Sequence, residues 1–184
     1  MTIKVEAFVD ETARAFKYTN VFARERTSGP ERLCIGIAEA QDRCVLLLAT
    51  TLAGPYKLLY LLHTTRTDAP LGRYEGPEMD HQEIEGFFHQ FGRFLIEDAR
   101  HDLWLHSRSE NATIVLDRHN LIYAYGPLDG FERVLVTAGV QLGPLPQTPD
   151  PHVHHYHAEW DDSERTILLA LPWQMTPLRE SDIQ

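Results

Sequence analysis

The chain has 184 residues, 43% of them hydrophobic and 24% charged. That is enough for one substantial core in a single domain over residues 1–184, with halves 1–100 and 101–184 as the alternative division. Its net charge of −10, from 27 acidic against 17 basic residues, comes without a Lys/Arg run and excludes a duplex-binding surface, which needs clustered cations to displace counterions.

Lys4, Glu6 and Asp10 interrupt the opening stretch where a signal peptide would carry an unbroken apolar core. The longest apolar run, CVLLLATTLAG, is too short to cross a bilayer. A cytoplasmic protein with neither membrane nor nucleic acid as a partner is the expectation.

In chain order, the first predicted elements are strands at Leu33 to Ala38, Cys44 to Thr50 and Lys57 to Thr64, short, aliphatic and punctuated by Gly54-Pro55. They read as an antiparallel meander. Its first turn, at Ala40-Gln41-Asp42, sets Cys34 opposite Leu48 and Cys44 opposite Ala38, beyond disulfide reach, and predicts two buried, reduced thiols. The stretch TTRTDAPLGRYEGPEMD reads as a loop. Arg66, Arg73 and Tyr74 within it are candidates to bind an anion, against the plainer reading that they pair with the acidic surface.

A helix follows, with Asp80 and Glu83 as its capping box and Ile84, Phe87, Phe88, Phe91 and Leu95 at helical spacing. DLWLHS reads as a strand, and ATIVLDRHNLIYAYG as a hairpin turning at Asp117-Arg118-His119-Asn120. A second helix runs from Pro127 to Gly139, with Leu128, Phe131, Leu135 and Ala138 on one face. HVHHYHAEW and RTILLALPW read as a last hairpin, joined at Asp161-Asp162-Ser163-Glu164, and the Pro-containing tail runs extended over the surface. Strands and helices do not alternate as a doubly wound sheet requires. The predicted class is α+β, a mostly antiparallel sheet with two main helices on one face.

Four of the ten histidines, His152, His154, His155 and His157, fall within PHVHHYHAEW. Side chains alternate along a strand, so His152, His154, Tyr156 and Trp160 share one face while His155, His157 and Glu159 share the other. The His152-x-His154 spacing lets two rings converge, and this pairing resembles the metal-binding strand of cupins, in which the remaining ligands come from elsewhere in the barrel. The glycine frame and downstream Glu of that motif are absent here. A third ligand for this face is sought in Asp117 or His119, because hairpin turns approach neighbouring strands. On the other face His155 and Glu159 lie about 13 Å apart, which makes them a poor set. Without a metal, the four imidazoles form a hydrogen-bonded patch that titrates as a coupled group.

No nucleophile elbow, phosphate loop or dinucleotide fingerprint occurs. His81 and His89 lie too far apart on their helix for one ion. Trp104, Trp160 and Trp173 suit the rim of a sheet with the indole N–H on a partner, and Tyr156 and Trp160 are candidate ligand contacts beside the histidines. Two readings follow. The first is a non-enzymatic binding module that docks a protein partner, or itself, through the sheet face or the Phe-rich helix. The alternative is a metal-dependent hydrolase centred on His152 and His154, whose cofactor would be a divalent zinc, iron, manganese or nickel ion.

Overall fold

A computed structural model of the chain describes residues 2–9 and 11–182, leaving Met1, Asp10, Ile183 and Gln184 outside the description. The chain opens with strands β1 (Val5–Val9), β2 (Thr12–Ala15), β3 (Val21–Glu25) and β4 (Arg32–Gly36), then helix α1 (Gln41–Ala49). Strands β5 (Tyr56–Leu62) and β6 (Gly72–Met79) lead into helix α2 (His81–Glu97). After it come β7 (His101–Ser107), β8 (Ala112–Leu116), β9 (Ile122–Tyr125), α3 (Leu128–Thr137), β10 (Gln141–Leu142), β11 (His152–His154), α4 (Asp161–Ala170) and β12 (Gln174–Thr176).

Nine strands form one sheet in the order β10-β3-β4-β9-β8-β7-β5-β6-β12, and β11-β1-β2 form a second, three-stranded one. Every pairing is antiparallel except that of β10 with β3. The class is α+β, as the order of elements implied. The sheet ends at β10 and β12 and does not close, so the barrel that goes with a cupin-type strand is not formed.

Leu33, Ile35, Leu58, Tyr60, Leu103, Leu105, Ile114 and Ile122 point from one face of the large sheet into the main core, which the helices complete. Helix α2 starts with the capping box Asp80/Glu83 and buries Phe87, Phe88, Phe91 and Phe94. A docking face made of those rings is therefore not presented. Phe91 sits beside Gly92, where an added Cβ would come within 2.5 Å of Asp42 Oδ2, so the glycine lets α1 lie against α2.

The expected strand at Cys44 to Thr50 is helix α1. Its buried residues Gln41, Cys44, Val45, Leu48 and Ala49 recur at three- and four-residue spacing, and an unbroken apolar run leaves helix and strand undivided until packing chooses. With that strand goes the meander: β7, β8 and β9 lie between β4 and β5. Both thiols are free and buried as expected, but on different elements, and burial pushes each up to about 12. The expected loop after Thr64 contains β6, and RTILLALPW is mostly helix α4 rather than a strand. Asp161, Asp162 and Glu164 in the first turn of α4 complement the positive end of its dipole, while Glu164 and Ile167 are buried.

Candidate metal centre

The β8–β9 turn is built by Asp117. Its Oδ1 accepts from the backbone N–H of His119 at 2.9 Å and of Leu121 at 2.8 Å, and its Oδ2 lies 2.9 Å from His119 Nδ1. A short carboxylate so placed holds the backbone turn and the imidazole together. Asn120 completes the turn with a left-handed φ of 66°. Lys4, at the start of β1, pins the turn from below by donating to Leu95 O at 2.7 Å, Asn120 Oδ1 at 2.8 Å and Asp117 O at 3.3 Å. Its burial pulls the ammonium down to about 8 against the opposing pull of Asp117, Asp102 and Asp98.

The same N-terminal segment positions the other histidines. In the small sheet Val5 lies opposite His154 and Ala7 opposite His152, so these four residues share a face, and that face meets the Asp117 turn. The ring centroids of His119, His152 and His154 are 4.7 to 5.1 Å apart. One ring nitrogen of each lies within 4.8 Å of the other two. Among the described residues these are the only three His, Cys, Asp or Glu side chains so grouped.

The nitrogens are in unequal states. His119 Nδ1 is engaged by Asp117, and His152 Nδ1 donates to Pro149 O at 2.8 Å, which leaves the Nε2 lone pair of both rings uncommitted. His154 Nε2 is buried and has no hydrogen-bond partner. Burial pulls the His154 imidazole down to about 3, and His119, His152, Arg118 and Lys4 add repulsion in the same direction. His154 is thus a neutral ring whose buried Nε2 has no partner, beside two rings oriented through their other nitrogen. Tetrahedral zinc with bonds of about 2.1 Å needs nitrogens about 3.4 Å apart, inside the 4.8 Å limit within which these three lie.

His155 and His157 take the opposite side. His155 Nε2 lies 2.9 Å from Glu6 Oε2, and His157 Nε2 donates to Ile3 O at 2.8 Å. Glu159 accepts from the Thr2 hydroxyl at 2.8 Å. These three are occupied locally. The regular strand stops at His154, and Ala158–Trp160 form a 3-10 turn leading into α4.

The remaining candidates are dispersed. Arg66 Nε lies 3.3 Å from Asp161, Arg73 pairs with Asp182, and Tyr74 is buried with its hydroxyl on Pro70 O. Tyr156 is 6.5 Å from His154 between ring centroids. Trp160 packs on Phe94 with Arg93 5.4 Å from its ring centroid. Asp117 supports His119 rather than joining the three. The sequence did not point to Lys4 or Pro149, because neither burial of Lys4 by residues 95 and 120 nor a carbonyl on a neighbouring loop leaves a local trace. No protein-family model matches the chain, and no curated protein or solved structure matches it.

Proposed function

We propose that this protein is a metal-dependent hydrolase whose divalent ion is held by His119, His152 and His154. The buried, partnerless Nε2 of His154 carries this reading: a buried polar atom left unpaired costs about 1–3 kcal/mol, and an ion bound by the three rings would remove that cost. Three neutral imidazoles suit zinc, iron or nickel. A divalent ion held by these three residues would supply Lewis-acid activation of water for hydrolysis of an ester, amide or phosphate. Asp117 fixes the tautomer of His119, and Pro149 O that of His152. Of the two surfaces on which the docking-module reading draws, the sheet face and the phenylalanines of α2, the second is buried.

Titration calorimetry with zinc on untagged protein tests the centre. The wild type and the double variant His155→Ala/His157→Ala should bind one equivalent, and His152→Ala/His154→Ala should bind none tightly. Equal loss in both double variants, or no binding in the wild type, would overturn it. Zinc binding without hydrolysis of activated esters or phosphates would retain the ion and discard the hydrolase.

A further inference from the structure

The face of the large sheet turned away from the helices carries a cleft of about 400 Å³, within the size range of small-molecule sites. Tyr123, Val115 and Trp104 are successive cross-strand partners on β9, β8 and β7, so they form one row along its floor. Pro30 and Arg32 stand on one side, Ser181 and Asp182 on the other, and His119 lies at its edge. His152 and His154 are not part of it.

Its hydrogen-bonding inventory is lopsided. The three carboxylates that line it are already engaged: Asp102 with His63 Nε2 at 2.8 Å and the Arg118 backbone N–H at 2.7 Å, Asp117 with the His119 turn, and Asp182 with Arg73 and the Arg179 N–H. The donors are not. Trp104 Nε1 is buried without a partner. Arg32 spends Nε on Glu25 and Nη1 on the Tyr125 hydroxyl, while its guanidinium lies 3.9 Å from the Tyr123 ring centroid; among the described residues its Nη2 has no hydrogen-bond partner. The cleft therefore offers an uncommitted guanidinium nitrogen and asks for an oxygen acceptor.

The Tyr123 ring under Arg32 and the Trp104 strand are two strand spacings apart, about 10 Å, with the Val115 side chain as a flat apolar step between them. We infer that this cleft binds a small planar aromatic monocarboxylate, its carboxylate on Arg32 and its ring over Val115 between Tyr123 and Trp104. One uncommitted guanidinium edge matches a monoanion better than a dianionic phosphate. The inference is independent of the metal reading, since only His119 and the Asp117 that orients it are shared and neither is given a ligand contact.

The test is a titration of the full-length, EDTA-treated protein, ¹⁵N-labelled at tryptophan, with 4-hydroxybenzoate, and a repeat with zinc present. The Trp104 indole resonance is identified by its loss in Trp104→Phe. It should move saturably, and 4-hydroxybenzamide, equal in shape but neutral, should bind at least about tenfold more weakly. In Arg32→Gln the acid should fall to the level of the amide, and Val115→Phe should abolish the shift. Unmoved Trp160 and Trp173 resonances show that each variant is folded. A Trp104 resonance that stays fixed up to about 10 mM acid, well above the millimolar affinity expected of so small a ligand, would overturn the inference. So would equal binding of acid and amide. Because the first titration is metal-free, failure of zinc to bind does not alter its outcome.

Discussion

Two polar clusters fasten the segment 152–164 to the body of the protein, and they are built on opposite rules. At the C-terminal end of the segment, Arg100 is fully buried. It donates through Nε to Asp98, through Nη1 to Glu164 and Asp161, and through Nη2 to Asp98 and His157 O. Asp98 also accepts from the His157 N–H, and Thr65 donates to Glu164. Nothing in that cluster is left over. At the N-terminal end, His119, His152 and His154 lie equally close together, yet a buried nitrogen has no partner. Saturation marks a clamp; an aligned vacancy in the hydrogen bonding marks a site.

The sharpest way to break that contrast is at the clamp. Arg100→Met leaves Asp98 and Glu164 buried without their counter-charge, and should cost about 3–5 kcal/mol, read from the denaturant midpoint at constant slope. A loss below about 1 kcal/mol would mean that the cluster is solvated and that the two ends do not differ in kind. Next comes the ion. Zinc at a hundredfold excess over its dissociation constant should stabilise the wild type by about 2.7 kcal/mol and leave His119→Ala unchanged. Stabilisation of both proteins alike would place the ion elsewhere.

Acid sharpens the comparison further. Unfolded, His154 takes a proton near pH 6.5; folded, it refuses one until about 3. Between those values the unfolded chain holds the extra proton. The stability contributed by this ring is complete above pH 6.5 and declines as the pH falls toward 3. Discounted for the partial exposure of the ring, the metal-free protein should lose about 1 kcal/mol between pH 7 and pH 5 on this account. Buried His101 shifts in the same direction, so the loss attributable to His154 is the difference between wild type and His154→Leu over that range. Identical pH profiles would show that His154 takes up its proton as readily in the folded protein as in the unfolded chain.

The smallest effect is the most diagnostic. Without metal, His154→Leu should be neutral or stabilising by up to about 1 kcal/mol, because it removes a buried polar atom left unpaired, while zinc binding disappears. A destabilisation of 2 kcal/mol or more would show that the ring contributes to the fold on its own account.

Much of this geometry could be read locally. The capping box of α2, the β8–β9 hairpin with its turn at Asp117-Arg118-His119-Asn120, and the division of His152 and His154 from His155 and His157 each depend on neighbours within a few residues, where propensity and alternation speak directly. His119 was within reach because a tight turn projects its side chains toward adjacent strands. Helices α1 and α4 were not legible as helices: CVLLLA and TILLA are apolar runs whose period is set by what they pack on. Strand β1 was missed for a different reason. Its near partner β2 is exposed along its whole length and shows no burial pattern, and its other partner begins at His152, a separation that leaves no signature within either segment. Lys4, Trp104 and Arg32 act through surroundings assembled from distant strands, so their roles emerged with the fold.

The position of β7, β8 and β9 between β4 and β5 has a consequence for synthesis. As the chain leaves the ribosome, β4 can pair with β3 and β5 with β6, but the other edge of each must wait until residues 101–125 have emerged. In that interval Leu33, Ile35, Leu58 and Leu62, all destined for the core, flank open backbone edges able to capture another chain. The nascent protein is therefore most exposed to aggregation before its central hairpin exists, and a product truncated near residue 100 should depend on chaperones rather than fold as a smaller version of the whole.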